Sequence, residues 1–151
     1  NYIEKNYFPI TDNRMTRFNI TLNEAIKFVL ECFKIMKGGE IFVPKLPSIK
    51  ITDLAKALRP KFKTKIIGLR PGEKLHEEMI SSNESLNTIE LSKFYVICPQ
   101  SKLIDWDKNY YLKNFKNSKN CKQGFHYSSE TNEKFLTVTD IKKILKINKF
   151  I

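Results

Sequence analysis

Apolar residues recur at helical spacing through Leu22, Ala25, Ile26, Val29, Phe33 and Met36, and Thr21-Leu22-Asn23-Glu24 precedes them as a capping box. Gly38-Gly39 ends the pattern, so a helix is predicted from Leu22 to Met36 with its apolar stripe in the core. The run Ile41-Phe42-Val43, set between Gly39 and Pro44, predicts a short buried strand. Lys45 to Lys50 reads as a proline-bearing loop, after which Thr52 heads a short helix through Ala55 and Leu58 that Pro60 stops. Thr64 to Leu69 is expected as a strand, His76 to Ile80 as a helical turn, and Phe94 to Cys98 as a β-prone run closed by Pro99. Periodicity fades over Asp105 to Gly124, which is expected to be an irregular basic connection. Thr139 then heads a last helix with Ile141, Ile144 and Leu145 on one face. There are no repeats, and the elements predict a mixed α/β fold in a single portion over residues 1–151.

Asn1-Tyr2-Ile3-Glu4-Lys5-Asn6 has the look of the tail of an amphipathic helix without a cap in front of it. That is the mark expected of a chain that starts inside a larger protein.

Composition narrows the class. With 151 residues, 41% hydrophobic and 28% charged, the chain is an ordinary soluble globular sequence. No apolar run reaches bilayer length, and the first residues do not resemble a signal peptide. Cys32, Cys98 and Cys121 are odd in number and form no C-x-x-C pair, which predicts free thiols in a reducing cytoplasm. Twenty-seven Lys and Arg against sixteen Asp and Glu leave a formal charge of +11. Such a balance favours polyanions or phosphorylated ligands, although lysine used as surface filler gives the same total. Lys108, Lys113, Lys116, Lys119 and Lys122, with Tyr110, Tyr111 and Phe115 among them, make the best case for a single-stranded nucleic-acid module. No RNA- or DNA-binding signature accompanies them, and a solvated loop is the simpler account.

More specific chemistry lies in Arg70-Pro71-Gly72-Glu73. Proline in the second place and glycine in the third are the pattern of a type II turn. A guanidinium at one corner forks onto phosphate oxygens, and a carboxylate at the other accepts two hydrogen bonds from a vicinal diol. A phosphate beside a ribose presents both partners. The competing account is a surface Arg–Glu pair worth little. A second stretch places Phe8, Pro9 and Ile10 before Thr11-Asp12, then Arg14 and Arg17, an apolar lip followed by two cations suited to a base and a diphosphate.

The blocks "PITDNRMTRFNIT", "GGEIFVPKLPSIKITDLAKAL" and "IIGLRPGEKLHEEMI" occur in that order. Together they resemble the inverting UDP-N-acetylglucosamine 4,6-dehydratases, relatives of the extended short-chain dehydrogenases/reductases. The likeness runs from about Pro9 to Ile80 and continues more loosely through "KFYVICP" and "FHYSSETNEKFLTVTDIKKIL". Retaining and membrane-anchored dehydratases and C-5 epimerases share the architecture. Asn19 departs from the pattern, where the family places an aromatic residue.

The resemblance implies an α/β fold that is the C-terminal substrate-binding portion of such an enzyme, without the N-terminal Rossmann core. It implies that Arg17 and Arg70 contact the UDP diphosphate, that Glu73 holds the ribose, and that Phe8, Pro9, Ile10 and Thr11 lie beside the uracil. His76 and Glu77 belong to the same motif but are given no chemical role, and His126 is too isolated to join His76 in a metal site. The complete family enzyme uses NADP. Here Gly38, Gly39, Gly68, Gly72 and Gly124 form no glycine-rich cofactor loop, and no Tyr has Lys four residues on. No catalytic, cofactor-binding or metal-binding residue is therefore assigned to this chain. The function expected is UDP-sugar binding within a dehydratase of surface-glycan or nonulosonic (pseudaminic-type) acid biosynthesis, inactive alone. A non-catalytic remnant of an epimerase or dehydratase is the alternative within the same class. The expected partners are a UDP-sugar, an N-terminal Rossmann half, and further copies of the chain covering the apolar surface which that half would otherwise bury.

Overall fold

The computed structural model describes residues 7–100, 107 and 109–150. In chain order these form β1 (Tyr7–Ile10), β2 (Thr16–Phe18), α1 (Leu22–Ile35), β3 (Ile41–Pro44), β4 (Ser48–Lys50) and α2 (Ile51–Leu58). There follow β5 (Lys63–Ile66), β6 (Glu78–Ile80), a 3-10 helix (Ser82–Asn87), β7 (Thr88–Glu90) and β8 (Phe94–Ile97). The last elements are α3 (Asn109–Asn114), β9 (Lys119–Asn120), β10 (Tyr127–Ser128) and α4 (Val138–Ile147). They divide into two compact units, the first drawn from 1–19, 47–77 and 128–151 and the second from 20–46 and 78–127. The tail-like stretch Asn1–Asn6 lies outside the described residues.

In the first unit β1 pairs in parallel with β5, setting Ile10 opposite Ile66, and β2 pairs antiparallel with β4, setting Arg17 opposite Ile49. A small core of Ile49, Ala57 and Ile141 joins α2 to α4, with Leu54, Leu136 and Leu145 packed around it. Two caps differ from expectation. The last helix is capped by Thr137, whose side chain accepts from the Asp140 N–H in a full capping box. Thr139 has Lys142 in the reciprocal position, so it lacks the acidic partner such a box requires. Likewise α2 begins at Ile51, ahead of Thr52, and has no side-chain cap. Its Ile51 N–H donates instead to the Met15 carbonyl at 3.1 Å, which satisfies that amide without a capping hydroxyl. The expected loop Lys45–Lys50 ends in β4 because Ser48 donates to and accepts from the 134–136 backbone.

The second unit is built on the four-stranded sheet β3-β8-β7-β9. Ile89, Leu91, Phe94, Val96, Cys98 and Tyr111 form its core. Phe42 lies edge-on to both Phe94 (5.8 Å) and Tyr111 (6.1 Å), a favourable arrangement of ring quadrupoles. Tyr111 is fully buried and donates to Glu40 Oε1 at 2.8 Å. Burial, reinforced by the Glu40 charge, pushes its phenol well above the usual tyrosine range. Within Asp105–Gly124 the described residues hold more order than composition suggests, namely α3 and β9. Tyr110, Tyr111 and Phe115 pack on the core there, so these rings are committed to the interior and not to stacking on bases.

The capping box of α1 is present, and the helix spans Leu22–Ile35 as the periodicity predicts. Its stripe is not in the core, however. Leu22, Ile26, Val29, Phe33 and Met36 are exposed, Leu22 at 75% and Phe33 at 65%, while Phe28 and Ile35 are the side chains turned to the core. The helix is apolar on more than one side, and this chain buries only one of them. Truncation should separate the two faces in urea unfolding at low protein concentration. Ile89→Ala is expected to cost about 2–5 kcal/mol, and Phe33→Ala no more than about 0.5 kcal/mol.

Candidate functional site

The first unit brings together the two stretches singled out in the sequence. Glu73 N–H donates to the Arg70 carbonyl at 3.0 Å, and Gly72 has φ +79°, as the type II turn requires. Any L side chain at Gly72 would be strained by that φ, although the space beside it is open. Glu73 is held by two donors. Arg70 N–H reaches Oε2 at 3.1 Å, and the Thr11 hydroxyl reaches Oε1 at 3.2 Å. Among the described residues no ion pair joins the exposed Arg70 guanidinium to Glu73. The turn is therefore not the surface Arg–Glu pair that was the competing account.

Thr11 continues directly from β1. Pairing of β1 with β5 carries the chain from Ile66 through Ile67, whose N–H donates to the Ile10 carbonyl at 2.9 Å, into the turn. Of the expected lip, Phe8 and Pro9 are partly exposed, and Phe8 stacks at 5.4 Å on Phe62. Ile10 is only 3% exposed and belongs to the core.

Arg17 sits on β2 and reaches under the other end of the motif. Its Nη1 donates to the Thr16 carbonyl (2.6 Å) and the Leu75 carbonyl (2.9 Å), and Nη2 donates to the Lys74 carbonyl (2.9 Å). Nε lies 3.8 Å from Glu77 Oε1. Two of its donors thus brace the Lys74–Leu75 backbone, and its charge stands at the base of the turn. Arg14, proposed beside it as a second cation, is turned away. It forks onto Asp12, with Nε to Oδ1 at 3.0 Å and Nη2 to Oδ2 at 2.8 Å. That pairing holds the Asp12 carboxyl well below its usual range, at about 2.

His76 and Glu77, given no role from the sequence, are tied to β2 and to residues 129–130. Glu77 Oε2 accepts from Phe18 N–H at 2.7 Å. Its backbone pairs with Ser129, N–H to Oγ at 2.9 Å and carbonyl from Ser129 N–H at 2.8 Å. His76 Nδ1 lies 2.8 Å from Thr16 Oγ1, which lies 2.8 Å from Ser129 Oγ, and His76 Nε2 faces Glu130 Oε1 at 3.4 Å. These bonds account for the missing helical turn. The carbonyls of Leu75 and Glu77 accept from Thr16 and Ser129, and the chain bends at 75–76 before β6 at Glu78–Ile80 in place of a helical turn. A cleft of about 670 Å³ opens beside them, lined by Arg14, Thr16, Lys50, His76, Glu130 and Phe135. Ser129 lies 113 residues from Thr16, a pairing that no local pattern reveals.

Among the described residues no group of three or more His, Cys, Asp or Glu is placed to hold a metal ion. Gly38 and Gly39 follow α1, Gly68 follows β5, and Gly72 and Gly124 lie in turns, so none stands at the N-terminus of a described helix. No described helix is long and apolar enough to cross a membrane.

Residues 2–99 match the family of polysaccharide biosynthesis proteins. Over 138 residues the chain is 49% identical to the inverting UDP-N-acetylglucosamine 4,6-dehydratase of Campylobacter jejuni, an alignment that takes in 91% of this chain and 41% of that enzyme. It is 34% identical over 140 residues to the UDP-glucose 4-epimerase of Rickettsia akari, with 90% and 40% covered. The solved structure of Pen from Bacillus thuringiensis superposes with a TM-score of 0.78 at 29% identity, over 99% of this chain and 44% of that one. The chain thus spans about two-fifths of the length of the curated relatives it matches. The fold is the α/β class expected, that of the extended short-chain dehydrogenase/reductase relatives. The chain belongs to the polysaccharide biosynthesis protein family.

The Asp12–Arg14 pair gives a direct check on the geometry beside the turn. A carboxylate whose folded pKa is depressed contributes stability above its unfolded pKa, and the contribution is lost as pH falls through the folded value. In carboxyl-detected NMR, Asp12 is expected to titrate near 2 in the native chain. In Arg14→Ala its midpoint should return toward the ordinary aspartate value of 3.8. A midpoint unmoved by the substitution would exclude the pair.

Proposed function

We propose that this chain is the UDP-sugar-binding C-terminal part of a UDP-N-acetylglucosamine 4,6-dehydratase serving surface-glycan or nonulosonic (pseudaminic-type) acid biosynthesis. One observation carries this reading: the Glu73 carboxylate is oriented by Thr11 and by the turn's own N–H, while the Arg70 guanidinium stays exposed. Each carboxylate oxygen keeps a lone pair after those bonds, which is what a vicinal ribose diol needs. Arg70 then takes the neighbouring phosphate, and Arg17 adds its charge and its remaining donor from below. Phe8, Pro9 and Thr11 flank the base, with Ile10 supporting them from the core. The high identity to the Campylobacter jejuni dehydratase makes the dehydratase a better model than the epimerase.

The cofactor and the hydride chemistry belong, on this reading, to the length of the relatives that this chain does not match. The chain alone is expected to bind UDP and to perform no dehydration. The exposed α1 stripe is the face against which the rest of such an enzyme packs, so the isolated chain should self-associate. A single-copy mass by light scattering, together with no fluorescence gain from a hydrophobic dye, would go against that expectation.

Calorimetric titration with UDP and UDP-N-acetylglucosamine tests the site. Arg70→Ala removes a charge-assisted contact and is expected to weaken binding about 10- to 100-fold. Binding heat that is unaltered by the substitution would undo the assignment of the turn.

A further inference from the structure

The polar chain behind the turn is more than packing. We propose that Ser129, Thr16 and His76 form a latch that sets where the Lys74–Glu77 backbone lies. Through that backbone it would set the Arg17 guanidinium and the Arg70–Glu73 turn, and its bearing on UDP rests on the reading given above.

Three separate segments supply the parts. Ser129 is wholly buried and grips Glu77 twice, once through each backbone group of Glu77. Its hydroxyl meets that of Thr16, which is 4% exposed and in turn meets His76 Nδ1. Thr16 N–H also donates to the Leu75 carbonyl at 3.0 Å. The Thr16 hydroxyl has one proton and two polar neighbours, so it donates to one and accepts from the other. Ser129 is wholly buried and Thr16 nearly so, so deleting either hydroxyl removes a bond that solvent replaces poorly. The consequence for the site follows from chain connectivity. Arg17 is the residue after Thr16 and spans the Thr16, Lys74 and Leu75 carbonyls, and Lys74 follows Glu73. If residues 74–77 shift against β2, the cation and the carboxylate shift with them.

The order Thr–His–Glu also resembles a nucleophile, base and orienting acid. Thr16 borders the cleft but is only 4% exposed, and its hydroxyl is already engaged by Ser129 and His76, which argues against that use. Thr16 and Ser129 are therefore positioning residues.

Thr16→Val keeps the shape and deletes the hydroxyl, whereas Thr16→Ser keeps the hydroxyl and deletes a methyl. Loss of one buried hydrogen bond corresponds to about a tenfold change in an equilibrium constant. Amide hydrogen exchange at Phe18 and Glu77, read in the 151-residue chain, is expected to speed up about tenfold in Thr16→Val. In Thr16→Ser it should stay within about twofold of the native rate. UDP affinity in the same samples should follow the same order. If Thr16→Val does not fold, Ser129→Ala carries the same expectation. Equal exchange in the native chain and the hydroxyl-deleted variant would overturn the latch, as would faster exchange with UDP affinity unchanged. A native chain that binds no UDP would instead sink the UDP reading, and the exchange rates would still decide whether the backbone is latched.

Discussion

Thr16 and Arg17 in β2 donate to the carbonyls of Lys74 and Leu75, Phe18 N–H donates to the Glu77 carboxylate, and Ser129 bonds both backbone groups of Glu77. Every feature of the site refers to this contact. A tight turn is a stiff local unit, but nothing in its four residues fixes where it points. Here the turn is followed at once by a segment whose carbonyls, N–H and Glu77 carboxylate are all engaged. The Arg70–Glu73 corner therefore projects from an anchored base, and Thr11 ties its far side to the end of β1. Recognition of a phosphate–diol pair needs both groups at a fixed separation, because a ligand that must reorganise them loses affinity in doing so.

This constraint also explains what the sequence could disclose. The turn, α1 with its capping box, and the β-prone runs at Ile41 and Phe94 were legible because each is specified by residues close together in the chain. The conformation of the Arg70–Glu73 turn was legible for the same reason. The roles of His76, Glu77 and Ser129 were not. Their significance lies in hydrogen bonds to residues 52 to 113 positions away, which spacing and composition do not encode. The misplaced cap at Thr52 has a related cause, whereas at α4 the Thr137–Asp140 box is local and was passed over for Thr139. A helix end is set by whichever group satisfies its free N–H, and for α2 that group is a backbone carbonyl from the 11–15 loop, remote in sequence.

The apolar stripe of α1 fails differently. Its periodicity predicts a buried face, yet among the described residues that face is exposed. Periodicity reports the environment for which a helix was selected, and that environment includes any protein beyond the described residues. A chain matching two-fifths of its relatives' length can therefore keep a helix whose pattern is satisfied on one side only. The unburied stripe and the partial coverage are independent observations, and both are expected of one portion of a larger fold.

The division into two units bears on the site in the same way. All the residues tied to the turn, namely Thr11, Thr16, Arg17, Phe18, His76, Glu77, Ser129 and Glu130, fall in the first unit. The unburied α1 stripe falls in the second. Polar contacts that orient a ligand-binding group must be complete within the unit that carries it, since a missing partner would leave buried donors unmet and the group misplaced. Apolar contacts that only join parts can be left open at a cost in solubility. The described residues meet the first kind within one unit and leave the α1 stripe open, so on the proposed reading the turn's geometry is set by contacts of this chain itself.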